Sequence, residues 1–328
     1  MSNYKPPYTI TSKILILVSN IVELLTELKH IHQTLDTPKL RKKNRVKSIT
    51  GTLQIEGNSF TEEKVTGVIN GKTVLGTMRE LAEVQGAIEA YDYLGKYKYN
   101  NEKDLLLSHK FFMSKILQNA GNFRKVNVGV GKHVAPPSKM VGELMGNLFN
   151  WLKTTKDHPL IVSSIFHYEF EFIHPFQDGN GRVGRLWQTV ILNEYKNIFA
   201  YMPIESIIKD NQKKYYDALE QSGKIGQNTP FIEFMLDIIF KTLKKLEIKN
   251  NKVGEKVGKK VGENLTENQI EIVKYMMENP KISAKKLSEL VNISTRKIEE
   301  NIKKLKDSKI IKRIGANKGG HWEVSDKT

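Results

Sequence analysis

Residues 174–185 read His-Pro-Phe-Gln-Asp-Gly-Asn-Gly-Arg-Val-Gly-Arg. Twelve residues carry a titratable base, a carboxylate, two glycines around an asparagine, and two arginines. The apolar-rich run before them, Ile165 to Ile173, reads as a helix, and Leu186 to Leu192 after them reads as another. The stretch is therefore a loop between two helices that opens the second. Any fold of this chain has to bring two apolar helices together around a polar, glycine-rich turn.

Each residue type in the turn has a chemical use. Asp178-Gly179-Asn180-Gly181 is a tight turn whose backbone N–H groups can converge, and at a helix N-terminus such a turn cradles phosphate. Arg182 and Arg185 are three apart on one face of the following helix, placed to grip successive phosphates. Asp178 is a hard oxygen ligand suited to Mg²⁺. His174, four residues before Asp178, is a residue type that can take a proton from an attacking group. Base, metal ligand, anion cradle and cationic clamp together describe phosphoryl or nucleotidyl transfer.

The segment resembles the signature of the Fic family, His-x-Phe-x-Asp/Glu-Gly-Asn-Gly-Arg-x-x-Arg, and matches every fixed position. The resemblance implies an enzyme that moves AMP from ATP onto a protein hydroxyl. It implies His174 as the general base, Asp178 as the Mg²⁺ ligand, and Gly179, Asn180, Gly181 and Arg182 on the phosphates. It also implies Arg185 on the γ-phosphate and Phe176 as a core anchor for the loop.

Residues 48–58 read Ser-Ile-Thr-Gly-Thr-Leu-Gln-Ile-Glu-Gly-Asn. Alone this is a helix ending in a Gly57-Asn58 cap. Beside the signature, Thr52-x-x-x-Glu56-Gly57 resembles the family's inhibitory helix motif. A carboxylate paired with Arg185 takes the place of the γ-phosphate. ATP then cannot seat its α-phosphate in line with His174.

The 328 residues leave room for a second domain, and 39% apolar content with three Trp is enough for a core. Cysteine is absent, which excludes disulfides, thiolate metal sites and a cysteine nucleophile and suits a reducing cytoplasm. No stretch reaches the ~18–20 apolar residues of a membrane span. The apolar run Ile14 to Leu28 is interrupted by Ser19, Asn20, Glu23, Thr26 and Glu27 and lacks a signal cleavage site. The net charge of +16 suggests attraction to nucleic acid or acidic surfaces, or simply a lysine-rich solvated surface.

Along the chain, helices are predicted from Thr11 or Ser12 to about His32, over Lys39 to Thr50 behind Pro38, over Thr77 to Tyr93, and over Asn101 to Ala120. Residues 121–137 break the run: Val126, Val128 and Val130 alternate as in a strand, and Gly129 and Gly131 allow a turn. In the resembling family this position holds a flap that pairs with an extended segment of the target. Arg124, just before it, resembles an arginine of that family whose role here stays open. His167 reads as a packed or surface histidine. Tyr215 or Tyr216 lines an adenine pocket by the resemblance, or packs in the core. Phe231 to Ile248 closes the helical core, and the glycine-punctuated repeat in 249–264 reads as a flexible basic linker.

In residues 265–328, Thr266 and Ser283 cap helices, a third helix spans Thr295 to Lys306, and Ile310-Ile311 with His321 to Val324 forms a hairpin. This order resembles a winged helix. On DNA, Thr295, Arg296 and Lys297 would head the recognition helix, and Lys312, Arg313 and Lys318 would face phosphates. Glu299 and Glu300 count against that use.

The expected architecture is mainly α. An N-terminal helical region (1–110) carries the inhibitory motif, and a Fic core (111–248) carries a small β-hairpin flap. A linker (249–264) and a winged helix-turn-helix domain (265–328) follow. The expected activity is Mg²⁺- and ATP-dependent AMP transfer to a Ser, Thr or Tyr hydroxyl of a protein, itself included, held back by Glu56. Alternatives are AMP removal, transfer of another phosphate-containing group, and an ATP-sensing DNA-binding regulator. Expected partners are a protein docked on the 121–137 flap and DNA through 265–328, with no membrane; homo-oligomerisation stays open.

Overall fold

The computed structural model describes residues 4–35, 38–130, 133–261, 265–316 and 319–324. These form helices α1 (Ser12–Leu35), α2 (Pro38–Ile55), α3 (Glu62–Ile69), α4 (Met78–Asp92) and α5 (Glu102–Met113), then strands β1 (Gly129–Val130) and β2 (His133–Val134). Helices α6 (Val141–Thr154), α7 (Pro159–Ile173), α8 (Asn180–Tyr195), α9 (Ile204–Asp210), α10 (Gln212–Ile225) and α11 (Thr229–Val261) follow. The chain continues through α12 (Glu267–Glu278), α13 (Ala284–Val291) and α14 (Thr295–Asp307) to strands β3 (Ile311–Ile314) and β4 (His321–Val324). It divides into two compact units, Met1–Thr26 with Pro38–Leu243, and Glu27–Thr37 with Lys244–Thr328.

Helix α7 is the axis of the first unit. Pro159 occupies its first turn, where a missing N–H costs nothing, and His158 Nδ1 accepts from the Leu160 N–H. From Leu160 to Phe170 it is buried on every side. A helix apolar all round belongs in a core. Phe166 and Phe170 stack 6.2 Å apart, and Phe149 meets both Phe166 and Trp187 edge-on. Each such ring contributes about 1.5–3 kcal/mol by leaving water. Helix α8 packs along α7, and the signature turn joins them.

Helix α2 packs on α9 through Gly51, where a Cβ would strike the Glu205–Ser206 peptide at 2.7 Å. The helix ends in a Schellman cap: Asn58 N–H bonds the Leu53 carbonyl, Gly57 N–H bonds that of Gln54, and Gly57 has φ 90°. Helix α4 opens with a capping box between Thr77 and Glu80.

Three expectations of the sequence change here. The helix predicted over 101–120 ends at Met113, because the chain turns back until the Gly121 N–H donates to His109 Nδ1 at 2.8 Å. The strand predicted from Val126 shrinks to a two-residue ladder, because side chains take the flanking backbone groups: Arg124 holds the Val126 carbonyl and Asn127 holds the Ser138 N–H. Helix α11 runs to Val261, through most of the repeat expected as a flexible linker; residues 262–264 lie outside the described residues. A helix already nucleated extends without a new nucleus, at about 1 kcal/mol for each glycine.

The second unit carries the winged helix. Ile272, Val273, Met276, Leu287, Ile298 and Leu305 form its core. Asn292, left-handed at φ 55°, turns the chain from α13, and Ser294 caps α14. Strands β3 and β4 pair antiparallel from Ile311↔Val324 to Ile314↔His321, and Trp322 Nε1 donates to the Ile282 carbonyl at 3.2 Å. Thr295, Arg296, Lys297 and Lys312 are exposed, and Arg296 bonds Glu300 at 3.3 Å. Arg313 lies over the Trp322 ring, and Lys318 is outside the described residues. Among the described residues no helix is long and apolar enough to cross a membrane.

Candidate active site

The turn between α7 and α8 is held shut by its own asparagine. Asn180 Oδ1 accepts from the Phe176 N–H and Asn180 Nδ2 donates to the Phe176 carbonyl, both at 2.8 Å. Its side chain is thus committed to the loop, and what it offers outward is its backbone N–H. Gly179 precedes the helix at φ 87°, and α8 starts at Asn180. The amides of Asn180, Gly181 and Arg182 fall in the first turn, outside the helix's own ladder, at the positive end of its dipole. Such a helix start is suited to cradle an anion.

His174 caps α7 in the left-handed region, φ 49° and ψ 61°, where a non-glycine residue is strained. That turn redirects the chain into the loop and leaves the residue half-buried. Phe176 plugs the loop into the core, stacked 3.7 Å from the His109 ring with 3° between planes. His109 Nε2 bonds the Asp178 carbonyl at 3.0 Å while its Nδ1 accepts from Gly121. Burial pushes the His109 pKa down to about 4, so the imidazole is neutral with its proton on Nε2.

The two arginines differ. Arg185 is 1% exposed and its Nη2 bonds Glu56 Oε1 at 2.6 Å. Its Nε donates to Thr52 Oγ1 at 3.0 Å and Nη2 to the Thr52 carbonyl at 3.2 Å. The Glu56 carboxylate lies over Gly181, so close that a Cβ there would run into Oε1. Glu56 therefore fills the mouth of the cradle. Its height is set from α9 and α10: Lys209 Nζ bonds the Gln54 carbonyl at 2.9 Å and Gln212 Nε2 the Ile55 carbonyl at 2.8 Å. Arg182, 2% exposed, bonds Asp178 Oδ1 at 3.1 Å, with Glu83 Oε1 3.6 Å from Nη1. Its Nε and Nη1 make no hydrogen bond. Buried guanidinium donors left over beside a helix N-terminus suit a phosphate.

Asp178 Oδ2 bonds Arg79 Nη2 at 3.0 Å, and Arg79 is two-thirds exposed. Among the described residues no group of three or more His, Cys, Asp or Glu side chains gathers to hold a metal. A dication here would be held by Asp178, through the carboxylate oxygen now paired with the exposed Arg79, and would neutralise phosphate charge. On those terms the residues fit.

Behind the turn, His167 is fully buried, with Nδ1 2.6 Å from Gln188 Oε1 and Nε2 3.1 Å from the Tyr215 hydroxyl. Burial pushes the Glu171 carboxyl up, but His167, His174 and Arg185 together hold it below the usual carboxylate value. Tyr215 is a core residue, 1% exposed, while Tyr216 is half exposed. The structure thus joins Thr52, Glu56 and Arg185 over Gly181 and pairs Asp178 with Arg182, with His174 at the end of the helix that leads into the turn; Tyr215 is left to the core. Sequence reasoning missed His109, Arg79, Glu83, Lys209 and Gln212. They sit on other helices, and none has a local pattern that sets it apart from packing or solvated residues.

Residues 99–192 match the model of the Fic/DOC family, and residues 265–312 that of a winged helix-turn-helix DNA-binding domain. A Fic family protein from Desulfovibrio desulfuricans G20 is 35% identical, with 99% of each chain covered and a TM-score of 0.75. The chain belongs to the Fic/DOC family. A second solved Fic structure, Fic-1 from C. elegans, shares the fold at 20% identity over 73% of each chain, with a TM-score of 0.62. The protein adenylyltransferase Fic of Culex quinquefasciatus is 29% identical over 209 residues, 60% of this Fic chain. The chain spans 41% of the length of that relative. Arg79, Glu83, Thr52 and Glu56 all lie before the stretch matched by the family model.

Proposed function

We propose that the chain transfers AMP from ATP to a Ser, Thr or Tyr hydroxyl of a protein and that Glu56 holds this activity down. The observation that carries the reading is the 2.6 Å pair between Glu56 and Arg185 over the N-terminus of α8. An anionic group of the chain sits where the site is built to take an anion. The curated relatives named as adenylyltransferases support the reaction class.

Arg182 and the amides of Asn180 to Arg182 would hold the phosphates, with the Gly179 N–H spent on Asp178 Oδ1, and Arg185 the γ-phosphate once Glu56 has left. Asp178 would hold Mg²⁺, which neutralises phosphate charge when bound. His174 takes the proton from the acceptor hydroxyl. The acceptor oxygen forms a bond to the α-phosphorus, the bond from that phosphorus to the bridging oxygen breaks, and pyrophosphate leaves. The flap at 121–137 would lay the acceptor segment alongside the site by strand pairing. Tyr216, exposed beside the core Tyr215, is the tyrosine of the two that suits an adenine contact.

The test uses the full chain with α-labelled ATP and Mg²⁺. Glu56→Gly should incorporate label above wild type, and Glu56→Gly with His174→Ala should fall by about 10²–10⁴-fold. Label independent of His174 would overturn the reading. A second activity, DNA binding by the winged helix, is favoured by the family match over 265–312 and by the exposed Arg296, Lys297 and Lys312.

A further inference from the structure

Arg124 stands at the root of the flap and spends its side chain on backbone carbonyls. Nε donates to the His174 carbonyl at 2.7 Å and Nη2 to that of Ile173 at 3.3 Å. Nη1 donates to the Val126 carbonyl at 2.9 Å and Nη2 also to that of Pro136 at 2.5 Å. Its own N–H donates to the Pro175 carbonyl at 2.9 Å. One residue, 2% exposed, therefore grips both arms of the flap and the three residues around the strained turn at His174. Val126 precedes β1 and Pro136 follows β2. The charge also sits at the negative end of α7, which favours it there. His109 makes a second tie of the same kind, joining Gly121 at the flap's start to the Asp178 carbonyl.

We propose that Arg124 is a positioning residue that locks the flap and the backbone bearing the His174 imidazole into one unit, so that the register of an acceptor strand on the flap selects the hydroxyl that reacts. The proposal rests on the AMP-transfer reading. Strand pairing recognises backbone, not side chains, so it cannot by itself choose among hydroxyls. The choice then depends on a fixed distance from flap to imidazole, since neighbouring residues of a strand lie about 3.3 Å apart. A planar guanidinium with five donors fixes distance and orientation together; an ammonium does not.

The experiment places Arg124→Lys in the Glu56→Gly chain. Affinity for a fluorescent ATP analogue should stay within about twofold, because Arg124 contacts carbonyls of 173–175 and not the cradle, while the rate of acceptor labelling falls about 100-fold. Amide hydrogen exchange should quicken in 121–137 and in 173–178 together. Labelling that persists within about threefold, affinity that falls as far as the rate, or faster exchange in only one segment would each overturn the proposal. If circular dichroism shows the lysine variant unfolded, Arg124→Gln takes its place with the same outcomes; unfolding of both also overturns it, since the residue would then serve the fold and not the alignment. A Glu56→Gly parent that binds nucleotide yet labels nothing defeats the AMP-transfer reading alone, and the exchange data still decide whether Arg124 joins the two segments.

Discussion

Removing the Glu56 carboxylate should switch transfer on and weaken the fold at once. Glu56 is 32% exposed and pairs with a guanidinium that is 1% exposed. A charge-assisted hydrogen bond is worth about 1.5–3 kcal/mol, and partial exposure of one partner favours the lower end, about 1.5–2 kcal/mol. At 1.4 kcal/mol per decade, displacing that bond weakens productive ATP binding by about 10- to 30-fold. Glu56→Gly should therefore raise kcat/KM for labelling by about that factor. The same change leaves Arg185 buried with Thr52 as its remaining partner in the cradle. Glu171 still faces the guanidinium, so the lost bond costs about 1–3 kcal/mol rather than the cost of a bare buried charge, and for a unit of this size each kcal/mol lowers the unfolding temperature by about 2–4 °C. ATP, by supplying an anion to Arg185, should recover more of that loss in the variant than it adds to wild type. The assays are initial labelling rates over an ATP series and calorimetric unfolding with and without ATP. A rise in kcat/KM below about twofold, or equal stabilisation of both proteins by ATP, would refute the reasoning.

Asn180→Ala removes two buried bonds to the Phe176 backbone and leaves that N–H and carbonyl unpaired; it should cost about 2–4 kcal/mol in urea unfolding and abolish nucleotide binding. Bonds from Ser59 and Thr77 hold the Glu80 carboxyl down at about 2. Because the folded value lies below the unfolded one, its contribution is complete above about pH 4.5 and fades as pH falls toward 2, so wild type should lose more stability across that window than Glu80→Gln. On DNA, the full chain should shift a duplex with an affinity that falls steeply as salt rises, and Lys297→Glu should weaken it; no salt dependence in a gel-shift series would remove the second activity.

What was legible beforehand was legible for local reasons. The signature declares itself because a base, a glycine turn and two arginines within twelve residues suit little else; helices α4, α12 and α14 announce themselves by period, and α7 by its apolar run. The winged helix was readable for the same cause, since Thr266, Ser283 and the turn at Asn292 are short-range devices. Where neighbours override local preference, reading failed. The strand signal at Val126 gave way to Arg124 and Asn127, and the helix after Met113 gave way to a turn that returns Gly121 to His109. Tyr215 and Tyr216 adjoin in sequence, and packing against His167 put one in the core.

By itself, then, the amino-acid order determined the helical class, the make-up of the signature turn and the presence of a carboxylate in the motif that ends at Gly57. It contained no means of bringing Glu56 to Arg185 across 129 residues. That distance is closed by Gly51 seating α2 on α9, by Lys209 and Gln212 holding the helix end, and by Thr52 meeting the guanidinium. Each contact is weak alone and joins residues far apart in the chain, so only the assembled core could decide whether that carboxylate reaches the arginine.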